Sequence, residues 1–186
     1  SYTYQKLMEA IGFLNDADPM PHRAISSVDR PHTIAVTGIM ELPFGRGKAM
    51  LSSAPNPVRE IVSGWQVNVI AQAYSGLPFT FGNVIYSGRP GDISLSSDAR
   101  SIDRWFNVDA GFETNPARQL LFNRRNFPQR FSNLRGPLFQ TWDASLIKNT
   151  RIREGMTAQF RAEAFNLFNT PTFGSPSTAV TSTAFG

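Results

Sequence analysis

Apolar and polar residues alternate through residues 140–169, and this alternation predicts a long β-hairpin. A repeat of two residues gives a strand two unlike faces. The connector Arg153-Glu154-Gly155 ends in glycine, as a three-residue hairpin loop with a positive φ at its last position requires. The apolar parity of the two arms carries Trp142, Ala144, Leu146, Ala158, Phe160, Ala162 and Ala164.

The opposite parity of the hairpin is polar and charged. Each arm runs about a dozen residues, whereas soluble strands typically have about 5–6 and a strand that crosses a bilayer needs roughly 9–11. The pattern therefore predicts apolar residues against lipid and polar residues towards a wet lumen. Arg161 and Glu163 could contact a solute there, or belong to a ladder of wall charges. The candidate lumen-facing residues are Asp143, Gln159, Arg161 and Glu163.

The same alternation recurs upstream, so the sequence predicts an all-β chain. Strands are expected at about residues 2–9, 33–43, 65–75, 140–152 and 156–169. Segments 10–32 and 83–138 are rich in turn-forming residues and predict long loops. Connections that alternate between long and short indicate an antiparallel meander forming part of a transmembrane β-barrel, with long extracellular loops and short periplasmic turns.

Aromatic residues near the predicted strand ends suit the two interfaces of a bilayer. Phe44 and Trp65 are expected at the periplasmic edge, and Trp142 at the outer edge. Phe165 and Leu167 conflict with the pattern, since they fall on the polar parity. A bulge, or a strand that rises out of the membrane, would explain them.

Composition narrows the class of protein without deciding it. A hydrophobic content of 41% with 17% charged residues is ordinary for a folded chain. The net charge of +4 is small and spread out, so no nucleic-acid partner is expected. The absence of cysteine excludes disulfides and thiolate zinc sites. The first residues lack the pattern of a signal peptide and the last stop in a predicted loop, so we expect a fragment of a longer polypeptide.

The predicted loop 83–138 holds the candidate ligand-contacting residues. Loops on a rigid scaffold commonly carry binding residues, and aromatic rings beside arginine donors could stack on a ligand. The alternatives are a solvated loop, pairing with the acids earlier in the same loop, or contact with anionic outer-leaflet lipid. The candidates are Trp105, Phe106, Arg124, Arg125, Phe127, Arg130 and Phe131.

Catalysis and metal binding find little support in the sequence. His22, Asp29 and His32 lack the spacing of a metal site. There is no Gly-x-Ser-x-Gly elbow, no cysteine nucleophile, and no clustered pair of carboxylates for acid–base chemistry. We expect neither an enzyme nor a cofactor.

Four stretches occur in the order MELPFGRGK, SGWQVN, SGLPF and WDASLIKNTRIREGMTAQFRAEAFNLFN. Together they resemble the C-terminal barrel of TonB-dependent outer-membrane receptors, most closely the subfamily with a carboxypeptidase-regulatory-like N-terminal domain. The resemblance implies a barrel around a plug, located in the outer membrane, which imports a large scarce solute such as a carbohydrate or siderophore with energy from TonB. The implied partners are the bilayer of the outer membrane, an unidentified solute, and the plug and TonB through parts of the polypeptide beyond this chain.

A soluble β-sandwich that recognises carbohydrate through its long loop is the alternative from another class. Two packed sheets would also bury one strand face and wet the other. Such a module accounts poorly for the length of the predicted strands and of the loop 83–138.

Overall fold

The computed structural model describes residues 1–120 and 122–186. Leu121, inside the predicted loop 83–138, lies outside the described residues. Clustering of contacts separates two compact units. The sheet unit comprises Ser1–Tyr2, Thr33–Ala73 and Phe139–Pro171, and the loop unit comprises Thr3–His32, Tyr74–Leu138 and Thr172–Gly186.

The structure is all-β, as predicted, with short helical segments in the connections. Within the described residues the strands are β1 Tyr2–Tyr4, β2 Met8–Glu9, β3 Ala24–Ile25, β4 His32–Glu41, β5 Trp65–Tyr74, β6 Phe139–Arg153 and β7 Met156–Ala164. The helix α1 spans Asn56–Val62, and 3-10 helices span Pro90–Ile93, Ser97–Ala99 and Pro116–Arg118. None of the helices in the described ranges is long and apolar enough to span a membrane.

The main sheet has the order β1-β4-β5-β6-β7, and β2 pairs with β3 in a separate two-stranded sheet. Over the described residues the main sheet stays open, with β1 and β7 at its edges. The predicted strand 2–9 is divided, because Leu7 N–H donates to the Asp29 carboxylate (2.6 Å) and β2 pairs with Ala24–Ile25 instead. The other predicted strands lie within a few residues of β4 to β7.

β6 and β7 form the predicted antiparallel hairpin. Leu146 faces Ala162 and Lys148 faces Phe160 on one side, while Ile147 faces Arg161. The register shifts between Arg151 and Arg153, which makes Ile152 the extra residue of a bulge beside the turn. Gly155 has φ +74°, the left-handed conformation expected of it.

The end of β7 removes the conflict over Phe165 and Leu167. The strand stops at Ala164, five residues before the predicted end at residue 169. Asn166 then has φ +48°, and its N–H donates to the Asp143 carboxylate at 2.9 Å. Leu167 N–H donates to the Trp142 carbonyl at 2.7 Å. Neither proposed explanation holds: the predicted strand 156–169 ends in a capped turn, so parity no longer applies to these residues.

Lys148 stabilises the end of α1 from the apolar parity of β6. Its ammonium donates to the carbonyls of Glu60 (2.9 Å), Ile61 (2.8 Å) and Ser63 (2.8 Å), and lies 5.2 Å from the centre of the Trp65 ring. A cation is favoured at this end of a helix, where carbonyls lack partners within the helix. The charge of Lys148 on the apolar parity is thereby stabilised by three carbonyl oxygens and an aromatic ring.

The loop unit contains an aromatic core, although its sequence shows no sustained period. Phe81 packs edge-on against Phe106 (centroids 5.1 Å apart) and Phe131 (5.7 Å). Burial raises the pKa of the Tyr86 hydroxyl, and the charge of Asp92 adds to the effect. The core consists of Phe79, Phe81, Tyr86, Ile93, Phe106, Ala110, Phe112, Phe127, Phe131, Leu134 and Val180. The described residues of the predicted long loop 83–138 therefore contribute to a packed core.

Candidate ligand-binding site

A cavity of about 450 Å³ lies within the loop unit. Its size is in the range of small-molecule pockets, roughly 300–1,000 Å³. It is open to solvent and has a mixed polar and apolar lining. The lining residues are Leu14, Asn15, Asp16, Ala17, Asp18, Asn83, Phe122, Asn123 and Arg124.

One wall of the cavity is the tight turn from Asn15 to Asp18. Asn15 N–H donates to the Asp18 carboxylate at 2.9 Å, and Asp18 N–H donates to the Asn15 carbonyl at 3.0 Å. Aspartate and asparagine favour such turns because their side chains bond to nearby backbone. The turn thus fixes one carboxylate at the cavity and carries a second, Asp16, between its two anchor points.

The turn is attached to the opposite wall through Arg125. Arg125 N–H donates to the Asn15 side-chain oxygen at 2.6 Å, and the Asn15 amide nitrogen donates back to the Arg125 carbonyl at 3.2 Å. The buried Arg125 guanidinium donates to the carbonyls of Pro128 and Gln129, both at 3.1 Å, and lies over the Phe127 ring. Burial, with the nearby charge of Arg130, lowers the pKa of Arg125. Arg125 is therefore a structural residue that brings Arg124 to the cavity.

Two asparagines form the opposite wall. The Asn83 amide nitrogen donates to the Asn123 carbonyl at 2.8 Å, and the Asn123 amide nitrogen donates to the Val84 carbonyl at 3.0 Å. Each asparagine side chain is oriented by the hydrogen bond that its own amide nitrogen donates. Its amide oxygen is then left to accept a hydrogen bond from a ligand. With two carboxylates against one guanidinium, the lining has a formal charge of −1.

Phe122 lies at this cavity with 82% of its surface exposed. An exposed phenyl ring does not gain the free energy of burial that the phenylalanines of the core gain. Its exposed fraction is the largest among the phenylalanines of the described residues. The arrangement offers one flat apolar surface beside several hydrogen-bonding groups.

The seven residues predicted to contact a ligand do not act together. Phe106, Phe127 and Phe131 are buried in the core, so their rings cannot stack on a ligand in this conformation. Trp105 is half-buried and donates to the Arg135 carbonyl at 2.6 Å. Arg130 is paired with Glu9 and bonds to the Ile25 carbonyl.

Of the predicted set, Arg124 is the member that lines the cavity. The three phenylalanines are buried because exposure is decided by contacts distant in sequence, and a role for their rings in ligand contact stays a prediction. The missed residues are Asn15, Asp16, Asp18, Asn83, Phe122 and Asn123. A usable signal is present in the clustered turn formers of Leu14-Asn15-Asp16-Ala17-Asp18, which fall within the predicted loop 10–32.

The predicted lumen-facing residues lie on the sheet unit. Asp143, Arg161 and Glu163 line a cleft of about 150 Å³, and Arg161 is paired with Glu163 at 2.6 Å. Gln159 donates to the Asn149 side-chain oxygen across the hairpin at 2.8 Å. The ion pair between Arg161 and Glu163 is compatible with both predicted roles, a charge on the barrel wall and a contact with a solute. These residues therefore remain candidates for facing the lumen.

The predicted interface aromatics pack in two places. Phe44 and Trp65 line one apolar cleft of the sheet unit, and the Trp65 indole donates to the Ile61 carbonyl at 2.8 Å. The Trp142 ring packs edge-on against Phe168 at 5.7 Å. Their depth in a bilayer stays a prediction. Across the described ranges, no group of three or more His, Cys, Asp or Glu side chains is placed to hold a metal ion.

Comparison with known proteins gives one family. No curated protein and no solved structure matches the chain. The family described as outer membrane beta barrel domain matches residues 1–186. Because that match covers the whole chain, and because the sheet is of the kind such a domain requires, the chain belongs to the outer membrane beta barrel domain family and is located in the outer membrane.

Proposed function

We propose that this chain is a wall segment of a TonB-dependent receptor that imports a large, scarce solute. The observation that carries the proposal is the cavity of the loop unit, which offers a place to hold a solute before import. The four sequence stretches that resemble such receptors support it, as does membership of an outer-membrane barrel family. Membership of this family does not favour the alternative function, that of a soluble β-sandwich module.

The loop unit is suited to solute capture because its parts are fixed before a solute arrives. Arg135 joins Asp29 at 2.6 Å, Arg130 is paired with Glu9, and Asn15 bonds to Arg125. Each contact connects the segment 3–32 to the segment 74–138. Preorganised groups lose less conformational entropy on binding, and so they bind more tightly.

In this proposal the chain supplies solute contacts and barrel wall, while energy coupling comes from the plug and the TonB-binding segment. The long connections lie on the extracellular side. Polar residues of the β6–β7 hairpin face the lumen, and the apolar parity faces lipid.

The test compares accumulation of labelled oligosaccharides by whole cells with the gene intact, with the gene deleted, and with tonB deleted. We expect both deletions to lower accumulation to the same level, and a protonophore to have the same effect. A matched control uses a small solute that enters through general porins. Loss of accumulation in the gene deletion without any effect of the tonB deletion would make the protein a passive barrel.

Val69→Arg should destabilise the protein by roughly 2–4 kcal/mol, because an arginine at mid-depth on a lipid-facing strand is moved into hydrocarbon. Val69 lies in β5 on the same parity as Trp65 and Val67, which we assign to lipid. The measurement is urea-induced unfolding of the full-length protein in lipid vesicles. Gln72→Arg, on the opposite parity of the same strand, is the control and should have a much smaller effect. Equal effects at the two positions would contradict the assignment of faces.

A further inference from the structure

We infer that the cavity lined by residues 14–18, 83 and 122–124 binds a neutral, hydroxyl-rich solute of the oligosaccharide class. The inference deepens the proposed function and rests on it for the fate of the solute after binding. It depends on the charge of the lining, the mixture of donors and acceptors, and the exposed ring of Phe122.

The charge of the lining disfavours anions. Asp16 and Asp18 provide two carboxylates against the single guanidinium of Arg124. Phosphorylated solutes and anionic metal chelates would meet net repulsion, which strengthens as the cavity loses water. A neutral solute avoids that cost.

The polar groups suit hydroxyls, which both donate and accept hydrogen bonds. Carboxylates and the amide oxygens of Asn83 and Asn123 accept, whereas Arg124 donates. Hydrogen bonds to charged groups are stronger than those between neutral partners. A solute with several adjacent hydroxyls could therefore satisfy several lining groups at once.

Phe122 supplies the apolar part of the recognition. One face of a sugar ring presents mainly C–H groups, and such a face can cover a phenyl ring that water now contacts. Covering the ring removes apolar surface from water, which is favourable. The ring and the polar groups share one cavity, so a single pyranose could use both.

A divalent cation is a poorer fit for the same residues. Ca²⁺ takes 6–8 oxygen ligands. One Asp18 oxygen already accepts the Asn15 N–H, and the Asn15 side-chain oxygen already accepts the Arg125 N–H. Arg124 lines the same cavity, and its guanidinium repels a cation.

The test uses the full-length protein in detergent and the variant Phe122→Trp, which keeps a flat ring and adds a fluorescent reporter at the cavity. The signal is the difference from the unsubstituted protein, because the chain has 3 native tryptophans. Titrants are linear neutral oligosaccharides built from glucose, mannose or xylose, and an oligogalacturonate as the anionic counterpart. We expect saturable binding of a neutral oligosaccharide and weaker binding of the anion.

Two variants then locate the bound sugar, by calorimetry without the reporter. Asp16→Asn and Phe122→Ala should each raise Kd about tenfold, the effect of losing one charge-assisted hydrogen bond or one stacking surface. Both side chains are exposed, so folding is expected to persist and is checked by circular dichroism. Glu154→Gln and Phe13→Ala are matched controls, since both residues are exposed and outside the cavity, and should leave Kd unchanged.

The inference is overturned if no neutral oligosaccharide binds at millimolar concentration, if the anion binds more tightly, or if Asp16→Asn and Phe122→Ala leave Kd unchanged. A response to calcium in place of sugar would also overturn it. Binding with the expected losses, combined with accumulation that does not depend on TonB, would support this inference and refute the proposed transport mechanism alone.

Discussion

Replacing Asp29 by alanine should destabilise the loop unit by about 3–5 kcal/mol, because it leaves the largely buried guanidinium of Arg135 without its carboxylate partner. Asp29 is fully buried, with 0% exposure. Its carboxylate receives the Arg135 guanidinium at 2.6 Å and the Leu7 N–H at 2.6 Å, and its carbonyl receives a second Arg135 donor at 2.9 Å. Removal of one side chain therefore disrupts contacts in two distant segments.

Hydrogen exchange of the Leu7 amide measures this effect, since that amide is protected by the Asp29 carboxylate. We expect its exchange to accelerate by roughly two to four orders of magnitude. Arg104→Gln is the control, because it breaks an ion pair with Asp109 whose side chains are 49% and 80% exposed. Exposed pairs contribute about 0–1 kcal/mol, so an equal response to both changes would refute the argument from burial.

Replacing both members of the buried pair should cost less than the sum of the single changes. In Asp29→Leu combined with Arg135→Met, no uncompensated charge remains in the interior. The difference between the double variant and the two single variants is the coupling energy of the pair. Strict additivity would mean that Asp29 acts through the Leu7 N–H and not through Arg135.

Phe106→Ala should destabilise the loop unit by about 3–5 kcal/mol, the usual cost of truncating a buried phenylalanine. Phe106 has no exposed surface. Its ring contacts those of Phe79, Phe81 and Phe185 at centroid distances of 5.9, 5.1 and 5.3 Å, all edge-to-face. The variant loses both apolar burial and favourable ring geometry.

The measurement for Phe106→Ala is urea-dependent cleavage of the loop unit by a protease. Phe122→Ala is the matched control, since the same substitution at an 82% exposed ring should change stability by less than about 0.5 kcal/mol. Resistance of Phe106→Ala equal to that of the control would mean that the aromatic core does not hold the unit together.

The sheet could be predicted from sequence because its signal is local. The alternation in β6 and β7 reflects the face of the sheet that each side chain occupies. The glycine at position 155 reflects the positive φ that the turn requires at that residue. The end of β7 was harder to predict from the sequence, because the Asn166 N–H donates to the carboxylate of Asp143 in the neighbouring strand. Lys148 was missed for the same reason, since its partners belong to α1.

The loop unit could not be predicted in this way. Phe106, Phe127 and Phe131 occupy no regular spacing, so the sequence carries no sign of which rings are buried. Arg124 and Arg125 are adjacent and identical, yet the first lines the cavity and the second is buried. The backbone of Arg125 bonds to the side chain of Asn15, which lies 110 positions away, and the local sequence gives no sign of this contact.

The contacts that hold the loop unit also bear on how fast it can form. Arg130 and Glu9 are 121 positions apart, and Arg135 and Asp29 are 106 apart. The entropy of closing such large loops opposes folding before any of these contacts can form, and chains dominated by distant contacts fold slowly. Until that closure, the phenylalanines of the core stay in contact with solvent, where exposed apolar surface promotes aggregation. Maturation of this region should therefore be the slow step in biogenesis, and the step most sensitive to temperature and to the supply of chaperones.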